Sequence, residues 1–197
     1  ASIDRTSIQG KDYFYYVGGK LARRVAVFGS DTISDHSITY YDSLIIDVQQ
    51  AIPNEDFRRL RIHQIEDGFI QKTEKLNCSL TSGDCETQYE EHYIRDLNGN
   101  IITMTIVYPD GRIFDHEFTF DDKNNHKLSL NASFHPLKPD GPDNINNPIT
   151  RTITARHDAD YLVETTWIYE YDEDDYPITS RIVTDGVDFG TTSYTYE

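Results

Sequence analysis

Apolar and polar residues alternate along most of this chain, and short Gly- and Asp-containing dipeptides interrupt the alternation at regular intervals. Side chains alternate across a β-strand, so a period of two separates a packing face from a wet face. Residues 112–120 put Phe114, His116, Phe118 and Phe120 on one face, against Ile113, Asp115, Glu117 and Thr119 on the other. Residues 161–171 set Tyr161, Val163, Trp167, Tyr169 and Tyr171 against Glu164, Thr166 and Glu170. Residues 100–108 are apolar on both faces, with Ile102, Met104, Ile106 and Tyr108 on one and Ile101 and Val107 on the other. That pattern predicts a central strand or one beneath a covering loop.

The interruptions are Gly18-Gly19, Asp67-Gly68, Asn98-Gly99, Asp110-Gly111 and Asp185-Gly186, with weaker ones near Gly29-Ser30, Asn124-Asn125 and Asp174-Asp175. Asp-Gly and Asn-Gly between alternating runs predict β-hairpins with type I′ turns, which need positive φ at both central residues. Between the turns lie strands near residues 12–17, 20–28, 34–42, 44–50, 58–66, 69–77, 87–96, 100–108, 112–120, 127–134, 150–157, 161–171, 176–184 and 187–196. The expected fold is a soluble all-β antiparallel up-and-down meander of about 14 strands, a curled sheet or barrel-like, forming one domain over residues 1–197. Two stretches break the rhythm. Ala51–Asp56 carries a short-helix signal with Asn54 as cap. Residues 135–148 hold Pro136, Pro139, Pro142 and Pro148 with Asp140-Gly141 and Asn144, which predicts a long loop, functional or a crossover.

Composition supports strands over helices: the apolar fraction is 37%, but 14 Tyr and 9 Phe accompany a single Met. The chain carries 34 acidic and 18 basic residues, a net charge of −16, which repels nucleic acid and acidic membrane surfaces and favours cations and basic partners. The plainer account of the charge is the wet half of each strand. No apolar run reaches the roughly 18 residues of a transmembrane helix, and residues 1–20 lack the plan of a signal peptide. Cys78 and Cys85 frame a short polar stretch with Gly83 placed for a turn. They suit a structural disulfide across a hairpin, with a reduced pair as the alternative. A metal pair lacks further ligands at the right spacing.

The unit Tyr169-Glu170-Tyr171-Asp172, its echo Phe118-Thr119-Phe120-Asp121 and the closing Tyr194-Thr195-Tyr196 resemble the aromatic-x-aromatic-Asp repeats of gut-bacterial lipoproteins with a porin-like β-meander. They are similar, more loosely, to the tyrosine-aspartate repeats of large secreted bacterial shell proteins. The resemblance covers the hairpins between residues 87 and 197. It implies a lipid anchor upstream of Ala1 and residence in the periplasm or on the outer surface, and it brings no catalytic residues. The first 60 residues match less well, and the Asp172–Tyr176 turn has no Gly.

Candidate chemistry is sparse. Histidines at 36, 63, 92, 116, 126, 135 and 157 show no metal-binding spacing. His116, inside an aromatic stripe, reads as a hydrogen-bonded core histidine, and His92 follows Glu90 and Glu91 on a strand. Serine-nucleophile, phosphate-loop and dinucleotide signatures are absent. Asp172, Asp174 and Asp175, and the loop Asp96-Leu97-Asn98-Gly99-Asn100, have the oxygen spacing of weak calcium candidates, although a solvated turn explains each. Tyr13-Phe14-Tyr15-Tyr16 and Tyr40-Tyr41 present rings on both strand faces, which suits edge packing or a ligand platform. No catalytic residue and no cofactor is expected. The expected role is a noncatalytic cell-envelope binding module for a glycan, peptide or protein. A structural lipoprotein with an envelope partner and a hydrolase with dispersed carboxylates are the alternatives.

Overall fold

A computed structural model of the chain describes residues 10–28, 31–50, 55–125, 144 and 146–194. Thirteen strands form among the described residues: β1 (Gly10–Val17), β2 (Lys20–Phe28), β3 (Asp31–Tyr40), β4 (Leu44–Gln49), β5 (Phe57–Glu66), β6 (Phe69–Ser79), β7 (Cys85–Arg95), β8 (Ile101–Val107), β9 (Ile113–Phe120), β10 (Pro148–Ala155), β11 (Asp158–Tyr171), β12 (Pro177–Thr184) and β13 (Val187–Ser193). Hydrogen bonding joins them in chain order as one antiparallel meander. No helix occurs among the described residues, so none there is long and apolar enough to cross a membrane. The strands fall close to those expected from the alternation. The expected strand at 127–134, most of the Pro-rich stretch, residues 51–54, Gly29-Ser30 and the histidines at 126 and 135 lie outside the described residues.

The turns are of two kinds, which corrects the expectation of type I′ throughout. Gly18-Gly19 (φ 57° and 77°), Asp67-Gly68 (52° and 81°) and Asp185-Gly186 (48° and 78°) have positive φ at both positions, as a type I′ hairpin requires. Asn98-Gly99 and Asp110-Gly111 do not, because only the glycine is left-handed, at 92° and 88°. Those two corners span Asp96–Asn100 and Tyr108–Arg112, each closed by a hydrogen bond from the fourth residue's N–H to the first residue's carbonyl. Asp172–Tyr176 follows the same plan, with Asp175 N–H bonded to the Asp172 carbonyl. Asp175 takes the left-handed place at φ 63° where the other two corners have Gly.

The chain divides into two compact units, Ala1–Glu90 and Glu91–Glu197. In the first, paired positions place His36, Ile38 and Tyr40 of β3, Ile45, Asp47 and Gln49 of β4, and Arg59, Arg61 and His63 of β5 on one face. The deepest residues of that face include polar ones: His36 and His63 at 6% exposure and Asp47 at 4%, beside Ile45 at 1%. Leu44, Ile46, Val48, Leu60 and Ile62 fall on the opposite face and are only half-buried. At the end of β6, Cys78 is bonded to Cys85, with their Cα atoms 4.0 Å apart. The short ring corresponds to about 2.5 kcal/mol of chain-entropy stabilisation.

In the second unit the alternation sorts the faces as expected. Register pairs His116 of β9 with Met104 of β8 and Ile153 of β10, and Phe118 with Arg151. Phe114 meets Tyr108, Tyr161 and His157 edge-on, with centroids 5.9, 5.4 and 5.2 Å away. Arg151 lies over Trp167 at 5.8 Å. Thr103, Thr105, Glu117, Thr119, Thr150 and Thr152 form the opposite, polar face. Thr119 and Thr150 share a hydroxyl hydrogen bond there at 2.6 Å.

Candidate functional site

At one end of the second unit, the β7–β8 corner, the start of β8, the end of β9 and the segment before β10 enclose an open cleft of about 530 Å³. Asp96, Asn98, Asn100, Asp121, Asp122 and Asn146 supply its polar groups, and Ile102, Phe118 and Phe120 its apolar ones. The β8 and β9 residues reach it because the strands deliver them to the ends of their ladder, where the chain turns.

The polar wall is held by asparagine and aspartate side chains. Asp96 Oδ1 accepts hydrogen bonds from the Asn98 and Asn100 N–H groups, at 2.9 and 2.8 Å. Asn100, 1% exposed, donates from Nδ2 to Asp96 Oδ2 at 3.1 Å and to Asn146 Oδ1 at 2.9 Å, and its Oδ1 accepts the Asn146 N–H at 2.9 Å. That reciprocal amide pair joins positions 46 residues apart. Asn144 Oδ1 accepts the Ile101 N–H at 2.7 Å, so the segment before β10 lies over the start of β8.

Asp121 anchors the other side. Its Oδ1 accepts the N–H groups of Lys123 and Asn147, both at 3.1 Å, and its Oδ2 accepts the Tyr171 hydroxyl. Asn147, fully buried, donates to the Asn124 carbonyl at 2.8 Å. Asn125 donates to the carbonyls of Asn144 and Asn146 at 3.0 and 3.2 Å. Burial raises the Tyr171 hydroxyl's pKa well above its ordinary value, and the hydrogen bond to Asp121 adds to the shift. Burial also pushes the Asp96 carboxyl upward, but hydrogen bonds from Asn100, Asn98 and Gly99 outweigh it and leave Asp96 below the usual range. A general acid for glycoside cleavage needs the opposite shift.

Phe118 and Phe120 stack side by side with centroids 6.4 Å apart and planes 28° apart. Asn98 and Asp122 are exposed at the mouth. Hydrogen-bonding groups on a rigid polar wall beside half-buried rings suit a ligand with one hydroxyl-rich edge and one apolar face.

The aromatic-x-aromatic-Asp motif now has a physical reading. The aromatics pack on the inward face, and the following Asp turns its carboxylate back to cap the corner. Asp172 Oδ1 accepts the N–H groups of Asp174 at 3.0 Å and Tyr176 at 2.8 Å, as Asp96 does in its own corner. Asp175 pairs with Lys123 Nζ at 2.8 Å, and the Asp174 carbonyl accepts from Asn124 Nδ2 at 3.0 Å. The calcium candidates Asp172, Asp174 and Asp175 therefore belong to a hydrogen-bonded corner. No group of three or more His, Cys, Asp or Glu among the described residues is placed to hold a metal.

His116 is buried, at 8% exposure, but its Nδ1 has no hydrogen-bonding partner among the described residues, which corrects the expectation of a bonded ring. Burial, then the charge of Arg151, lowers its pKa to about 4. His92 lies exposed on β7. Tyr13, Tyr15 and Tyr16 are 41–50% exposed and Tyr41 is 58% exposed. These rings lie in the first unit, and the cleft does not use them. From sequence, Asn100 reads only as part of a weak calcium loop and Asn125 only as a turn residue, and Asn146 and Asn147 are not singled out. The local signal available was the run Asn144-Ile145-Asn146-Asn147 beside Asn124-Asn125.

No protein-family model and no curated protein matches the chain by sequence. Among solved structures, the chain is similar to a porin-like protein from Bacteroides uniformis ATCC 8492, at 14% identity and a TM-score of 0.46, over 100% of this chain and 93% of that one.

Proposed function

We propose that this chain is a noncatalytic binding module of the cell envelope, with the β7–β9 cleft as its ligand seat and a glycan as the ligand class. The observation that carries this reading is the pairing, in one cleft, of half-buried Phe118 and Phe120 with exposed Asn98 and Asp122 on an anchored polar wall. Sugar rings offer C–H faces to aromatics and hydroxyls to amides and carboxylates. The Cys78–Cys85 disulfide supports an oxidising compartment. A glycan array followed by calorimetry tests the proposal. Saturable binding that falls at least tenfold in Phe120→Ala and Asn98→Ala is expected. A folded protein that binds no glycan, or whose binding both variants leave intact, refutes it.

A structural role with an envelope partner is the second reading, and β13 favours it. Every residue of that strand is exposed, including Val187 at 58% and Phe189 at 69%. A stoichiometric partner co-purifying with the chain, and lost on Phe189→Asp, is the outcome this reading requires.

A further inference from the structure

The β7–β9 cleft has a sign as well as a shape. Three of its polar groups are the carboxylates of Asp96, Asp121 and Asp122, and no lysine, arginine or histidine lines it. Asp96 and Asp121 are half-buried in the wall, and Asp122 is exposed at the mouth. Among the described residues, the donors on the first two are all neutral. Asp96 takes the Asn98 and Asn100 N–H groups and the Asn100 amide. Asp121 takes the N–H groups of Lys123 and Asn147, the Asn147 amide and the Tyr171 hydroxyl. Neutral donors stabilise a carboxylate without cancelling its charge.

The Asp122 carboxylate has neither a hydrogen bond nor an ion pair among the described residues. Its chain neighbour Lys123 is committed to the corner between β11 and β12, with Nζ 2.8 Å from Asp175 Oδ1. Elsewhere in the second unit Asp110, Asp115 and Asp188 are matched with Arg112, Arg156 and Arg181, at 2.7, 2.6 and 2.7 Å. Asp122 therefore meets an incoming ligand with its charge uncompensated. A sugar ring whose C–H face lies on Phe118 and Phe120 turns its edge substituents to the polar wall. A hydroxyl there donates to a carboxylate oxygen or accepts from the exposed Asn98 amide. A carboxylate or sulfate ester at the same position brings a second negative charge to Asp122. Two unit charges about 6 Å apart at a protein–water boundary repel by roughly a factor of ten in affinity.

We propose, on the glycan reading of this cleft, that Asp122 is its specificity-determining residue and restricts the ligand to glycans with no acidic group on the sugar seated against Phe118 and Phe120. Repulsion of the wrong partner sets specificity as much as attraction of the right one. Asp122 makes the choice, rather than Asp96 or Asp121, because its oxygens are uncommitted and stand at the mouth. The oxygens of the other two are engaged in holding the wall. An exposed charge also acts in a way that salt screens.

The test uses matched sets of gluco-, manno- and galacto-oligosaccharides, each a neutral form beside its C6-oxidised uronate form and its sulfate ester. They are titrated by calorimetry into the full chain, Asp122→Asn and the remote control Asp110→Asn, each shown by urea unfolding to be folded. The parent chain is expected to bind the neutral member of a set about tenfold or more tighter than the acidic members. Asp122→Asn is expected to narrow that ratio to about threefold or less, and Asp110→Asn to leave it unchanged. Raising salt from about 0.01 M to about 1 M, which cuts the reach of a charge from about 30 Å to about 3 Å, is expected to narrow it in the parent. Acidic members bound as tightly as neutral ones overturn the specificity and leave the glycan reading standing, and so does a ratio that Asp122→Asn leaves intact. Loss of all binding in folded Asp122→Asn makes the residue a ligand contact only and overturns its selective role as well. A folded parent that binds no member of any set ends both readings.

Discussion

His36 and Asp47 meet across β3 and β4 with the ring Nδ1 2.8 Å from one carboxylate oxygen and 3.1 Å from the other, and both side chains are buried. The pair fixes the polar interior of the first unit. Removing the imidazole leaves Asp47 facing the longer contact to Arg61 of β5 at 3.3 Å. His36→Ala is expected to cost about 3 kcal/mol, because a buried carboxylate is stranded. Urea unfolding measures it, and a loss under about 1 kcal/mol contradicts the account.

The second unit carries a built-in sensitivity to acid at His116. Its pKa in the fold is about 4, below the ordinary 6.5. The fold therefore keeps the ring neutral while the unfolded chain takes up a proton. Stability from this residue is complete above pH 6.5 and falls as pH drops toward 4, by up to about 3 kcal/mol. Unfolding measured across that range is expected to show a shallower decline in His116→Leu than in the parent chain. Parallel curves count against the ring as the cause.

Asp175 occupies a left-handed position at φ 63°, where the matching corners carry Gly99 and Gly111. The Lys123 ion pair that it forms is exposed and contributes little. Asp175→Gly is expected to stabilise the chain by about 1 kcal/mol. A loss of stability in chemical denaturation would show that the ion pair outweighs the backbone.

Asp96 orders both its corner and the cleft wall. Asp96→Ala removes the acceptor of three hydrogen bonds, from two backbone N–H groups and the Asn100 amide, and is expected to cost about 2 kcal/mol. Asp96→Asn keeps an acceptor for the backbone and is expected to cost less than half as much. Equal losses in the two variants would assign the effect to charge alone.

The Cys78–Cys85 bond closes a short ring at the β6–β7 hairpin. Cys78→Ser with Cys85→Ser, or reduction of the parent chain, is expected to lower stability by about 2.5 kcal/mol. A reducing agent that shifts the parent's unfolding midpoint and leaves the double variant unchanged confirms the source.

Most strands are legible in the sequence because alternation and turn dipeptides are local signals. The turn types are less so. Asn98-Gly99 reads as a two-residue corner, yet the Asp96 carboxylate two residues upstream closes a wider one. In the first unit, alternation identifies Leu44, Ile46 and Val48 as one face but not that Asp47 and His63, opposite, lie deeper. Their burial depends on partners from neighbouring strands that hydropathy does not see. The cleft is hidden for the same reason, since Asn100 and Asn146 join across 46 residues through side-chain amides alone.

Strand order that repeats chain order has a kinetic meaning. Each new strand docks on the one just before it, so most loops to be closed are short and the entropy lost at each step is small. Sheets with distant pairings fold slowly because long loops must close before any contact rewards them. Among the described strands the widest gap between paired neighbours runs from Phe120 of β9 to Pro148 of β10. That gap is where assembly of the meander meets its largest entropic step, and the asparagine network closes the same gap from both sides.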